Sequence, residues 1–291
     1  MQKELSPVRQ FINTTIYTSD LIRIINFQCD DDHSFTSKEE LSGYFCIGFT
    51  RTGNFRFHSC RNAADVYSSR ILIEKPECTY RLTHTGDACN ANTFFIFSED
   101  LYEALKEKPN FRRSAFYRNE NILSLLILAT PELEWLHFSI WQKIHQKENS
   151  RLEIDSMVME LLNSVIDNLS YNGMDHELLK EQKKHHLSTI ERAKEYILTN
   201  FTQNISLAEL AEYCCVSLFH FCRIFKQLST FSPYQYLQSL RLKNAEMLLK
   251  TTALSVTDVC YRSGFNSLDY FSTAFSKKYK LSPSKYRSSI S

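Results

Sequence analysis

Ser206-Leu207-Ala208-Glu209-Leu210-Ala211 and, 49 residues further on, Ser255-Val256-Thr257-Asp258-Val259-Cys260 are one template written twice. Each copy has a matching second half: Ser217-Leu218-Phe219-His220-Phe221-Cys222-Arg223-Ile224-Phe225 in the first, Ser267-Leu268-Asp269-Tyr270-Phe271-Ser272-Thr273-Ala274-Phe275 in the second. Both open with Ser three residues before Glu or Asp. At that spacing the hydroxyl accepts from the third amide of a helix while the acid reaches back to the cap. Apolar residues follow at helical intervals: Leu207, Leu210 and Ala211, then Val216, Phe221 and Phe225; in the second copy Val256, Val259 and Cys260, then Phe265, Phe271 and Phe275. Between the halves, Cys214-Cys215-Val216-Ser217 and Ser263-Gly264-Phe265-Asn266-Ser267 supply tight turns in which Gly264 can take a positive φ and Ser217 or Ser267 can cap the next helix. Cys215 stands where Gly264 stands, so strain is expected in the first turn. Each copy therefore reads as a helix-turn-helix. A helical repeat array would need three or more units to bury a continuous core, and only two occur.

The helical pattern extends to both sides of the first copy. Ser188 to Phe201 carries Ile190, Ala193, Ile197 and Leu198 on one face, and Ser232-Pro233 caps a helix running to about Leu249 through Tyr236, Leu237, Leu240, Ala245 and Leu248. At about 1.5 Å per residue its roughly 17 residues span about 25 Å, enough to hold two recognition helices near one DNA turn, about 34 Å, apart.

Ser206 to Arg287 resembles the DNA-binding domain of the AraC/XylS family of bacterial transcription regulators. The likeness rests on Ser-Leu-x-x-Leu-Ala at 206–211, Ser217-x-x-x-Phe221-x-Arg223-x-Phe225-Lys226, and the spacer with Pro233, Tyr236, Leu237, Arg241, Leu242 and Ala245. It continues through Gly264-Phe265-x-Ser267-x-x-Tyr270-Phe271, Phe275-x-Lys277-Lys278 and the closing Ser282-Pro283-x-x-Tyr286-Arg287, and covers about the last 105 residues. Two positions depart from the pattern: Thr230, where similar proteins carry glycine at the end of the first recognition helix, and Asp269, which would repel phosphate if it pointed outward.

Charge agrees with this reading. Residues 181–291 hold 15 Lys and Arg against 8 Asp and Glu, a net of +7, and the preceding residues hold 19 against 25, a net of −6. A basic domain gains affinity for DNA by releasing counterions from phosphate. Base reading falls to exposed residues in the first turns of each recognition helix. In the first helix these are Ser217, Phe219, His220 and Arg223, with Lys226 beyond them; Arg223 can donate twice to guanine and Phe219 can meet a thymine methyl. In the second they are Ser267, Asp269, Tyr270, Thr273 and Lys277, a chemically poorer set suited to phosphate contacts and shape reading. For every one of these residues a phosphate contact or plain exposure stands beside base contact.

The first 175 residues differ in texture. Short runs alternate as strands do: Leu21 to Phe27, Tyr44 to Phe49, Asn54 to His58, Ile71 to Ile73, Thr79 to Leu82 and Thr93 to Phe97, punctuated by Gly53, Pro76 and Gly86. Many short strands imply a sandwich or barrel. Gly43 to Phe97, with Arg81-Leu82-Thr83-His84-x-Gly86-Asp87, is similar to the cupin-like half-barrel that senses a ligand or mediates association in proteins of this layout. His58 and His84 each stand alone, without the His-x-His of a cupin metal site, and Cys89 near His84 is a small hydrophobe rather than a nucleophile. Neither metal nor catalysis is expected. The nine cysteines form no C-x-x-C pair, and with no apolar run of 18 residues and no signal peptide the chain reads as cytosolic with reduced thiols.

Two further helices are expected at Glu132 to Gln146 and Leu152 to Leu169. Their apolar stripes are wide, with Leu161 and Val165 assigned to a partner subunit or, alternatively, the whole stripe packed on the barrel. Ser170 to Gly173 and Lys180 to His186 form a polar linker.

These expectations give an α+β chain: a cupin-like β-barrel with flanking helices at 1–175, a linker at 176–187, and an all-α domain at 188–291 with two helix-turn-helix units joined by a spacer helix. The function expected is sequence-specific transcription regulation, reading two adjacent major-groove segments under N-terminal control. The alternative is a DNA-binding protein whose barrel only dimerises and senses no ligand. No enzyme activity, metal or cofactor is implied. The resemblance implies double-stranded promoter DNA, RNA polymerase, a small-molecule effector and a second copy of the chain as partners.

Overall fold

The computed structural model describes residues 11–29, 34–59, 62–84, 90–146, 150–169 and 185–290. The chain divides into two compact units, Met1–Ala129 with Leu136–Ser188, and Thr130–Trp135 with Thr189–Ser291.

The first unit is strand-rich. Strands β1 (Phe11–Thr18), β2 (Ile22–Cys29), β10 (Asn90–Phe97), β5 (Cys46–Thr52), β8 (Arg70–Glu74) and β11 (Ser124–Leu128) make one antiparallel sheet in that order. A second is ordered β3 (Phe35–Thr36), β9 (Cys78–His84), β6 (Asn54–Ser59) and β7 (Asn62–Tyr67), with β4 (Glu40–Ser42) also on β9. Among the described residues no pairing joins the two ladders. Alternation decides which side chains enter the core. On β10, Phe95 and Phe97 are fully buried while Phe94 and Ile96 turn to the opposite face. β8 lies between β5 and β11 and is buried along its whole length. Gly53, at φ 77°, makes the turn from β5 to β6.

Three short helices follow β10: α1 (Glu99–Lys106), α2 (Pro109–Arg113) and α3 (Ala115–Arg118). They close an aromatic cluster in which Tyr102 stacks on Phe45 at 5.0 Å and Phe111 meets Phe116 edge-on at 6.4 Å. The two longer helices are α4 (Pro131–His145) and α5 (Arg151–Leu169). Leu161 and Val165 are wholly buried within this single chain. The width of the α5 stripe therefore reflects packing inside the unit, and the assignment of these two residues to a partner subunit is withdrawn. Most of the expected linker, 170–184, lies outside the described residues, as do Gly86, Asp87 and Cys89.

The second unit is helical: α6 (Leu187–Asn200), α7 (Leu207–Tyr213), α8 (Leu218–Ser229), α9 (Pro233–Thr251), α10 (Val256–Arg262), α11 (Leu268–Tyr279) and α12 (Pro283–Ile290). Each expected cap forms. Ser206 and Glu209 complete a reciprocal capping box, as do Ser232 and Gln235. At Ser255 the hydroxyl accepts from the Asp258 amide at 3.0 Å and donates to the Asp258 carboxylate at 2.6 Å. Asp is one methylene shorter than Glu, so its acid takes the hydroxyl.

Both recognition helices end on a left-handed residue that is not glycine, Thr230 at φ 66° and Lys280 at φ 64°, fifty positions apart. The Thr230 amide still closes the helix on the Lys226 carbonyl at 3.0 Å. Left-handed backbone costs a residue with a Cβ about 1–2 kcal/mol, and a branched Cβ is the worst case. Thr230→Gly should therefore stabilise the protein by about 1 kcal/mol, after the extra unfolded-state entropy of glycine is deducted. Thermal denaturation of the full chain checks this; an unchanged or lower midpoint would contradict it.

Candidate nucleic-acid interface

Two turns set the recognition helices. In the first copy the Cys215 amide bonds to Glu212 O at 2.8 Å and the Val216 amide to Ala211 O at 3.0 Å. In the second, Gly264 bonds to Tyr261 O at 3.0 Å and Phe265 to Cys260 O at 3.1 Å. The same turn is built twice, through Cys215 at φ 57° and Gly264 at φ 86°. Strain at Cys215 is thus as expected. Gly264 is required for a second reason: a Cβ there would lie 2.7 Å from the Phe201 carbonyl and 2.9 Å from Arg241 Nε.

Each recognition helix buries one face and exposes the other. Phe221, Ile224, Phe225 and Leu228 of α8 pack inward, and Phe225 meets Tyr236 of α9 edge-on at 5.4 Å. Phe271, Ala274 and Phe275 of α11 join Leu242, Ala245 and Leu249 from the later half of α9, with Val259, Cys260 and Phe265. The spacer helix is therefore core to both helix-turn-helix copies, and its 19 residues extend about 28 Å.

On the outer face of α8, Phe219 is 82% exposed, Arg223 and Lys226 are exposed, and His220 is partly so. Arg223 Nη2 lies 3.0 Å from His220 Nδ1. A guanidinium can only donate, so the imidazole nitrogen accepts and steadies the Arg223 side chain. Ser217 is exposed but its hydroxyl accepts from the His220 amide, so its first role is the cap.

On α11, Asp269, Thr273 and Lys277 are exposed, and Ser267 caps the helix through the Tyr270 amide. Asp269 stands in the first turn, where its charge complements the positive helix end. The Tyr270 hydroxyl is engaged by the Tyr234 hydroxyl at 2.7 Å and by Gln238 Nε2 at 2.5 Å, which ties α11 to the spacer. Burial, then its bond to Tyr234, push that phenol up to about 12. The ten residues expected at the interface thus fall on the two recognition helices or their caps, with Tyr270 partly diverted to positioning.

Sequence reasoning missed several neighbours. Arg241, read as part of the spacer, is a strut: Nε donates to Phe201 O and Nη2 to Gln203 O, each at 2.7 Å. Lys278 is held by Glu132, leaving Lys277 as the exposed member of the tandem. Arg262, Lys280 and Lys285 are further exposed cations. Glu246 ties α9 to α12 by accepting from Lys243 and from the Tyr286 hydroxyl, each at 2.7 Å, and it also pairs with Lys250. Burial pushes its carboxyl up, but these partners outweigh burial and hold it at about 2.

Among the described residues no helix is long and apolar enough to cross a membrane. Residues 210–289 match the family described as "Helix-turn-helix domain". The HTH-type transcriptional activator RhaR of Mannheimia succiniciproducens is 33% identical over 102 residues, 35% of this chain and 37% of that protein. The uncharacterized HTH-type transcriptional regulator YdeC of Bacillus subtilis is 25% identical over 220 residues, 74% of this chain and 69% of that protein. The chain spans 37%, 39% and 55% of the lengths of RhaR, RhaS and the melibiose operon regulatory protein. The C-terminal domain of AraT from Geobacillus stearothermophilus matches 35% of this chain and 84% of its own, at 34% identity and a TM-score of 0.34. Residues 210–289 thus carry a helix-turn-helix domain similar to those of relatives named as transcriptional regulators and activators.

Proposed function

We propose that the protein reads two adjacent major-groove segments of promoter DNA, one with α8 and one with α11, under the control of its N-terminal unit. The observation that carries this reading is the paired geometry: two turns with equivalent hydrogen bonds, two helices that expose equivalent positions, and one helix that serves as core to both. On α8, Arg223 is steadied by His220 beside the exposed Phe219 ring, a combination suited to guanine and a neighbouring thymine methyl. On α11, Thr273 and Lys277 suit phosphate and shape reading, and Asp269 limits how closely phosphate comes. The proposal includes a regulatory unit at 1–175, a linker at 176–187, a DNA-binding domain at 188–291, and action through RNA polymerase. A cavity in the N-terminal unit favours ligand sensing over a unit that only dimerises.

Substitution separates base reading from phosphate holding. Arg223→Ala in the full chain should cost about 1–3 kcal/mol on the preferred site and much less on scrambled DNA. Lys277→Ala should weaken both alike and flatten the dependence of log affinity on log salt by about one unit. Binding to matched and scrambled duplexes at two salt concentrations measures both. Equal losses on the two duplexes for Arg223→Ala would make it a phosphate clamp and remove base reading from α8.

A further inference from the structure

The N-terminal unit holds a cavity of about 390 Å³, open to solvent on one side and lined from both sheets, within the range of small-molecule sites. Its walls follow from strand alternation. Ile25 and Phe27 of β2, Tyr80 and Leu82 of β9, and Phe94 and Ile96 of β10 turn toward it. Gly48 stands opposite Phe94 in the β5–β10 ladder, and a Cβ there would meet the Phe94 ring at 2.9 Å, so the glycine leaves room for this wall.

The polar lining is lopsided. Glu74, on β8 between β5 and β11, is only 6% exposed, and its Oε1 accepts no hydrogen bond among the described residues. Asn92, 2% exposed, has an Oδ1 in the same condition. Both unmet atoms are acceptors. The other acid of the lining, Glu40, accepts from the Tyr80 hydroxyl at 3.1 Å. Arg23 is exposed, with its guanidinium 5.6 Å from the ring centroid of the exposed Tyr44, and so belongs to the solvent margin. A buried carboxylate oxygen without a donor is rare in a settled core and typical of a site completed by a ligand.

Resting on the reading of this unit as the controlling one, we propose that the cavity binds a small organic cation, an apolar or aromatic body carrying a protonated amine or amidine whose N–H groups donate to Glu74 and Asn92. The aromatic walls bury the body and their π-faces also favour a cation. An anionic ligand would leave the Asn92 acceptor unmet and, whenever Glu74 is ionised, would face two acids. Burial, and then the charge of Glu40, push the Glu74 carboxyl up to about 7. The other titratable or charged groups of the lining are Arg23, Glu40, Tyr44, Cys46, Tyr80 and His84. Cation binding at pH 7 should therefore draw Glu74 into its ionised form and release part of a proton to buffer.

The test uses the full chain and three phenyl-bearing probes of similar size, 2-phenylethylamine, 2-phenylethanol and 3-phenylpropanoate, followed by calorimetry in two buffers of different ionisation enthalpy. The amine should bind most tightly and release protons, and Glu74→Gln should weaken it about tenfold or more while leaving the alcohol unaffected. No amine binding at millimolar concentration, equal amine affinity in Glu74→Gln, or tighter binding of the propanoate that Arg23→Gln abolishes would each overturn the proposal. DNA affinity with and without the amine is read separately. Amine binding that leaves DNA affinity unchanged upholds the cation site and overturns N-terminal control instead.

Discussion

Lys194→Met should destabilise the helical unit by about 3–5 kcal/mol at pH 8, because it strips the partner from a buried charge. The Lys194 ammonium on α6 lies 2.6 Å from Glu134 Oε1, and both side chains are nearly inaccessible. Tyr236 of α9 donates its hydroxyl to the other carboxylate oxygen, and Lys194 stands 5.6 Å from the centre of the Tyr236 ring. Burial already raises the Glu134 carboxyl against the pull of Lys194 and Tyr236. Without the lysine it rises further, so the variant's folded state holds a proton that its unfolded state releases near pH 4–5. The deficit should be largest at pH 8 and shrink as the pH falls and Glu134 takes up that proton. Lys194→Met with Glu134→Gln should recover most of the loss, since Gln keeps an acceptor for Tyr236 and carries no charge. Urea denaturation at pH 8 and pH 5 measures all three proteins. A loss below about 1 kcal/mol would mean that solvent reaches the pair and screens it.

Glu74→Gln should do the opposite in the strand-rich unit. Its carboxyl titrates near 7 in the folded chain, above the ordinary 4.5. The stability associated with the bound proton is complete below the unfolded value and is lost as the pH rises through about 7. At about 1.4 kcal/mol per unit, the wild type should lose about 3 kcal/mol between pH 4.5 and pH 8 that the variant keeps. Glu74→Gln should thus be the more stable protein at pH 8, with the gap closing toward pH 5. Parallel stability profiles would show that Glu74 is hydrated. A residue that lowers stability in the empty state fits one kept for its ligand.

What could be read from the chain alone divides along local and non-local lines. The helix-turn-helix copies were legible because caps, apolar spacing and Gly264 act within a few residues. Among strands, β2, β5, β6, β8, β9 and β10 showed themselves by alternating or compact apolar runs. β1 was hidden because Asn13, Thr14 and Thr15 dilute the pattern on a sheet edge, and β7 because Asn-Ala-Ala-Asp has little strand character. Asp65 of β7 is buried through its 2.9 Å pair with Arg56 across the ladder, a reason that no window of sequence contains. At the interface, the exposure of Arg223 followed from helical phase. The diversion of Tyr270 to Tyr234 and Gln238 did not, because those partners lie 36 and 32 residues away. Leu161 and Val165 were misplaced for a related reason: periodicity gives the width of an apolar face and is silent about what covers it.

Because α9 contributes Tyr236 to the packing around α8 and Leu242, Ala245 and Leu249 to the packing around α11, the two helix-turn-helix copies share a keel. Loosening either end of it removes a wall from the half attached there and lets the fraying run along the helix into the other. Drift of one copy is therefore felt by both. The duplication behaves as a single cooperative body, held by the inward aromatic residues Phe221 and Phe271, and Phe225 and Phe275, which are the same in each copy.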